Sequence, residues 1–233
     1  MNLKKELQQS GYDLINSPIR NHKLLQLWLK KSNNVVDLYH ENIADALISE
    51  IGLKIIEDNA LSVNYNFTQD FEFNVGITVL DALLSTLGLG DLGLNTILKT
   101  GKKMSLSYDH SKTLTVASGE ISNYLTTSRF KYQNNEFIRN ANRDNILIIS
   151  GVLMARDLKS IIETDMDINA EIETQLTQVA KGKIGFKQLS GNKLELISEG
   201  NNPFPIAVKA HRLYWKNDKF DKMTIVTDNR FFF

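Results

Sequence analysis

Between positions 61 and 77, apolar residues fill eight of the nine odd positions: Leu61, Val63, Tyr65, Phe67, Phe71, Phe73, Val75 and Ile77. The even positions carry Ser62, Asn64, Asn66, Thr68, Asp70, Glu72 and Asn74. A repeat of two residues is the signature of a strand, because successive side chains leave opposite faces of the pleat. At roughly 3.3 Å per residue such a segment extends about 55 Å, far beyond the usual strand of five or six residues. One face is greasy and the other polar along its whole length. Such a face can cover a protein core or meet lipid, and periodicity alone does not separate the two.

The rest of the chain arranges itself around that feature. Leu3 and Leu7 predict a short helix over residues 2–10, ended by Gly11 as a C-terminal cap. A second short helix is predicted after Ser17-Pro18, with Leu24, Leu25, Trp28 and Leu29 on one face. Residues 35–58 are ambiguous, apart from a helical turn around Ala44 to Leu47. After residue 77, a glycine-broken helical connection from Thr78 to Lys99 leads to renewed alternation at Met104, Leu106 and Tyr108, then at Leu114 and Val116. The unit reads strand, helix, strand. The second half repeats it: strands at Ile146–Met154 and Lys159–Asp165, then a helix marked by Ile168, Ile172, Leu176 and Val179. A hairpin follows, with Ile184 and Phe186 on one arm, Ser190-Gly191-Asn192 as the turn, and Leu194 and Leu196 on the other. Residues 203–215 form a further strand, and Asp218 is expected to begin a short polar tail ending in Phe231-Phe232-Phe233. With no low-complexity linker, the expected architecture is one α+β domain built on a twisted, mainly antiparallel sheet with surrounding helices.

Composition removes several functional classes. The chain has no cysteine, so disulfides, a thiol nucleophile and cysteine-bound metal are out. Its 27 basic residues balance 27 acidic ones, against a general nucleic-acid binder. No stretch approaches the 18 or so apolar residues of a membrane helix. Gly88-Leu-Gly90-Asp-Leu-Gly93 matches a dinucleotide-binding pattern, but Gly101 leaves only about two helical turns after it, so no cofactor is expected. Asp165-Met-Asp167-Ile-Asn169 opens like a calcium loop and then fails, with Ala170 at the glycine position and Leu176 at the glutamate position. His22, His40, His110 and His211 show no metal-ligand spacing, and no nucleophile motif is present, so neither a metal nor a catalytic residue is expected.

Taken together, these segments resemble the gasdermin pore-forming domain, particularly its compact bacterial branch. The resemblance rests on Gly11-Tyr12-Asp13-Leu14-Ile15, the Phe71–Val75 strand with the Val79–Leu98 connection, Ile121–Leu125, and above all the stretch from Pro205 to Phe220 with Ala210-His-Arg-Leu213 at its centre. It implies a pore-forming domain over 1–220 and a short autoinhibitory C-terminal peptide over 221–233, removed by an activating protease, caspase-like or other. The released domain would then self-associate into a large ring on membrane lipids. Its two strand–helix–strand regions, about 61–117 and 146–197, would become spanning strands of a β-barrel. The protein would be cytoplasmic when inactive and at the inner, plasma membrane afterwards, killing the cell as an antiviral, antiphage defence. Leu61, Val63, Tyr65, Phe67, Phe71, Phe73, Val75, Met104, Leu106, Tyr108, Ile184, Phe186, Leu194 and Leu196 are then the candidate lipid-facing residues. Lys99, Lys102 and Lys103 are candidate headgroup contacts, and Phe231, Phe232 and Phe233 the candidate autoinhibitory plug. Relatives often carry a lipid-modified cysteine, which this chain lacks. The alternative is a soluble binding or scaffold module controlled by a partner protein.

Overall fold

The computed structural model describes residues 7–15, 22–31, 36–60, 63–67, 101–132, 135–164, 173–174, 177–178, 185–198 and 203–226. In chain order the strands are β1 (Asp13–Leu14), β2 (Leu27–Lys30), β3 (Val36–His40), β4 (Leu47–Ile48), β5 (Ile56–Asn59), β6 (Val63–Phe67) and β7 (Gly101–Thr115). Helix α1 (Ser118–Thr127), β8 (Arg129–Phe130) and α2 (Asn135–Ala141) precede β9 (Ile146–Thr164), β10 (Gly185–Ser190), β11 (Lys193–Ser198), β12 (Phe204–Lys216) and β13 (Lys219–Val226). Eleven of these strands form one sheet, every pairing antiparallel, and β4 pairs with β8 apart from it. The expected α+β class and antiparallel sheet hold.

The 19-residue β9 is the spine. Its first residues, Ile146 to Ile148, lie between β2 and β12, and its last ones, from Lys159, lie between β7 and β11. Ile146, Leu147, Ile148 and Ile149 are all fully buried. Ile146 and Ile148 join a core with Leu27, Leu29, Leu213 and Trp215 that is roofed by Ile121, Tyr124 and Leu125 of α1 and Phe137 of α2. Leu147 and Ile149 enter the opposite core with Ile15, Trp28, Val36, Val208 and Val226. This half of the strand is therefore apolar on both faces, and its sequence reads as a continuous run instead of an alternation.

Several expectations change on the structure. Two pairs of separate strands are single long ones. The alternation lapses after Tyr108 because β7 slips register against β9 between Ser107 and Lys112, yet the ladder continues. The helix expected around Leu24 to Leu29 is instead strand β2, held between β3 and β9, so pairing on both edges overrides an i, i+4 pattern that a doubly buried strand also produces. The helical turn near Ala44 is a short 3₁₀ turn, Ile43–Asp45, capped by Asn42. Gly11 does end a helical turn: its φ is +79°, and the amides of Gly11 and Tyr12 donate to the carbonyls of Gln8 and Leu7. The 185–198 hairpin is as expected.

The expected polar tail is also replaced, over residues 219–226, by β13. Asn217 and Asp218 have φ of 52° and 63°, a two-residue turn that both side chains tolerate, and β13 returns along β12 from Lys219 to Val226. Asn142 secures the turn, its side-chain amide donating to Asp218 at 2.6 Å while the Asp218 amide donates back at 3.2 Å.

A candidate membrane-insertion sheet and its C-terminal strand

The two regions expected to insert are neighbours in one sheet. β6, β7, β9 and β11 pair in that order, and β10 extends the array. The ladder aligns Tyr65, Leu106, Ser160, Leu196 and Phe186 in one row, and Phe67, Met104, Ile162, Leu194 and Gln188 in the row two residues away. Directly opposed positions share a face of the pleat. The sheet thus brings seven of the sequence-derived lipid-facing candidates onto one face, and Val63 with Tyr108 opens a further row. Ile162, Phe186, Leu194 and Leu196 are buried. So is Ser160, whose hydroxyl has no hydrogen-bond partner among the described residues, a polar interruption in the apolar row.

The intervening rows form the other face and are mostly polar. One holds Asn66, Ser105, Ile161, Glu195 and Lys187; the next holds Asn64, Ser107, Lys159 and Ile197. Lys159 meets Glu195 at 2.5 Å and Lys193 faces Glu163 at 3.7 Å. Glu173, in a helical segment, accepts the backbone amide of Gln188 at 2.9 Å and so occupies an edge donor of β10. Lys103 stands opposite Glu163 in the ladder, and Lys102 is in β7. Leu61, Phe71, Phe73, Val75, Lys99, Ile184 and Phe231 to Phe233 lie outside the described residues, as do both rejected motifs.

At the other end, β13 closes the edge of β12. Val226 is buried in the core around Trp28, while Phe220 and Met223 pack against the core beneath α1. The helical turn that ends at Gly11 meets this strand: a Cβ on Gly11 would stand 2.6 Å from Cδ1 of Ile225. Lys209, from β12, places its ammonium 4.8 Å from the ring centre of Tyr12, and a Cβ on Gly151 would meet the Tyr12 hydroxyl at 3.0 Å. Burial, followed by the charge of Asp58, pushes the Tyr12 phenol up to about 12. This packed seam between the N-terminal turn, β12 and β13 had a legible sign, the Asn217-Asp218 turn, but no periodicity to announce it.

Ser150 is the extra residue of a bulge, since Lys209 pairs with Gly151 and Ala210 with Ile149. Its hydroxyl lies 2.8 Å from Nδ1 of His211 and 3.2 Å from the Lys209 carbonyl. Burial, with the Lys209 charge second, depresses His211 to about 4. The unfolded chain therefore takes up this proton before the folded one does. Stability from His211 is complete above the ordinary histidine value near 6.5 and falls as pH drops from there towards 4. Allowing for partial solvent contact, the loss should be about 2 kcal/mol. Urea unfolding of wild type and His211→Gln across that window tests it: the variant should lose less stability, and parallel curves would refute the assignment.

Among the described residues no helix is long and apolar enough to cross a membrane, and no three potential metal ligands cluster. A spine strand, an amphipathic antiparallel array and a roof of short helices define an α+β protein of the gasdermin fold. A bacterial gasdermin from Bradyrhizobium tropiciagri superposes with a TM-score of 0.57 over 95% of this chain and 89% of its own, at 13% identity. The model of the Bacterial Gasdermin Family matches residues 15–223, and the chain belongs to that family of pore-forming proteins. It is also 24% identical over 225 residues to the gasdermin bGSDM of Gillisia limnaea, covering 94% of this chain and 83% of that one.

Proposed function

We propose that this chain is a non-enzymatic effector of regulated cell death in antiphage defence, cytoplasmic at rest and acting at the inner membrane. In this reading a protease, caspase-like or other, removes the peptide 221–233, and the released domain oligomerises into a large β-barrel pore. The observation that carries it is the array β6–β7–β9–β11, whose strands are already antiparallel neighbours, with the apolar candidates in register. A spanning strand needs about 9–11 residues, and β7 and β9 have 15 and 19. The apolar rows, in which Ile162, Phe186, Leu194 and Leu196 are buried at rest, become the lipid face, the rows of Asn, Ser, Lys and Glu line the aqueous side, and closure leaves no unpaired edge.

The inhibitory peptide acts in part as a strand. Residues 221–226 occupy the β12 edge and supply Val226 to the core, so their loss bares an edge and an apolar seam together. The peptide's Asp221 and Lys222 balance, as do Asp228 and Arg230, so its release leaves the net charge unchanged and works by uncovering surface. The Phe231 to Phe233 plug and the headgroup roles of Lys99, Lys102 and Lys103 belong to the same proposal. The exposed Asn217-Asp218 turn, just before the proposed boundary at 220, will take an engineered protease site without breaking a strand. Cutting there should turn a protein that leaves dye-loaded anionic liposomes intact into one that empties them. A cut, folded protein that releases no dye would defeat the reading and favour a partner-controlled binding module.

A further inference from the structure

Resting on the pore-forming reading, we infer that the β10–β11 hairpin is the closed form of one spanning strand, and that the β11 edge it covers is where β6 of a second copy pairs in the ring. β10 and β11 have 6 residues each, short of the roughly 9–11 that a spanning strand needs. Read straight through from Gly185 to Ser198, the same chain clears that length. Opening the hairpin gives up the Gly191-Asn192 turn, the Glu173 contact to the Gln188 amide, and a β10–β11 ladder that already slips register between Gln188 and Ser190. β10 is lightly held: of its side chains only Phe186 is buried, and Leu189 is 43% exposed. Nor does any side chain change sides. Phe186, Leu194 and Leu196 share a face of the hairpin and, as even positions, share a face of the joined strand, with Lys187, Lys193 and Glu195 on the other.

Strand direction points the same way. Across the sheet β6, β7, β9, β11 and β10 alternate in direction, every neighbour antiparallel. With all five repeated around a ring, β10 of one copy would meet β6 of the next running the same way, a parallel pair that an antiparallel membrane barrel does not contain. Four strands per copy, ending on β11, alternate without a break. β10 therefore has to leave, and the backbone groups it bares on β11 are the ones a neighbouring β6 would pair with. Among the described strands β6 pairs with β7 and no other, so its outer edge is the complementary one. Unlike edges joined head to tail close into a ring. The joined strand keeps its ladder to β9, which runs without a bulge from Lys193–Glu163 to Ser198–Leu158. In the sequence, the residues after β9 hold the period needed to continue that ladder, Met166, Ile168, Ala170 and Ile172 alternating with Asp165, Asp167, Asn169 and Glu171.

Two engineered disulfides, each in the full chain with the cleavable turn, separate the two states. Gly185 and Ile197 are directly opposed in the hairpin, and among the described residues a Cβ on Gly185 meets nothing closer than the Ile197 carbonyl at 3.7 Å. In the joined strand the same two positions stand about 40 Å apart. Oxidised Gly185→Cys/Ile197→Cys should therefore melt like the wild type, release no dye from anionic liposomes after cutting, and recover release when reduced. Glu163→Cys/Lys193→Cys bridges β9 to β11, a pair that stays opposed, and should release dye at the same rate oxidised or reduced. Mixed one to one with cut wild type, the oxidised 185–197 chain should lower release well below the half expected from dilution, because one closed β11 edge stops a ring. Undiminished release by the oxidised 185–197 chain overturns the inference, as does silence of the oxidised 163–193 chain. Release reduced only by dilution in the mixture overturns the pairing with a second copy. A cut wild type that releases no dye brings down the pore reading itself, and this inference with it.

Discussion

Bridging β13 to β12 with a disulfide should keep the cut protein silent, and reducing that bridge should start dye release at least tenfold faster. Tyr214 and Lys222 are directly opposed in the ladder, with the lysine ammonium 5.2 Å from the tyrosine ring centre. Opposed residues of an antiparallel pair have Cα atoms about 4.5–5.5 Å apart, within the span a disulfide bridges. The chain has no other cysteine, so Tyr214→Cys/Lys222→Cys can form only this intramolecular bridge. Once the Asn217-Asp218 turn is cut, what holds β13 among the described residues is non-covalent: its ladder, the packing of Phe220, Met223 and Val226, and side-chain contacts such as Thr224 with Tyr214. The bridge restores a tether whose effective concentration is on the order of millimolar or higher, against a free peptide diluted without limit. Losing the cation–ring contact costs only about 0.5–1 kcal/mol at an exposed site, so the reduced variant should behave as the cut wild type does. Dye release measured with and without reductant decides the matter. Equal leakage in both states would show that leaving of the C-terminal strand is not the release step.

The largest loss of stability should follow Trp28→Ala, by about 3–5 kcal/mol. Trp28 is 1% exposed, pairs with Leu38 of β3 and Leu147 of β9, and stacks on His22 with ring centres 4.8 Å apart. Its neighbours are committed to the sheet, so the cavity would not collapse. For a chain of this size, roughly 2–4 °C per kcal/mol puts the fall in melting temperature near 10 °C. Urea unfolding followed by circular dichroism measures it directly. A cost below about 1 kcal/mol would mean that the tryptophan is not the centre of the core it shares with Val226.

Legibility in the sequence followed exposure. Over Val63 to Phe67, Met104 to Tyr108 and the 185–198 hairpin, the alternation predicts the strand and the set of residues that share a face. Where both faces are buried the pattern fails. Leu27-Trp28-Leu29 reads as easily as a helix face, and Ile146 to Ile149 gives no face at all. Bulges hide continuity for a different reason: β7 slips register against β9 between Ser107 and Lys112, so the parity is lost although the ladder runs on.

The sequence by itself determined the α+β class, the antiparallel strands, the absence of cysteine chemistry and which residues alternate as the apolar ones, because solvation writes a period-two code into each half-buried strand. Only the tertiary structure decided that the two regions proposed to insert lie side by side in register. It alone also showed that residues 219–226 are a strand seated on β12. Those are relations between segments far apart in the chain, set by which edge finds which partner, and no local pattern of residues carries that information.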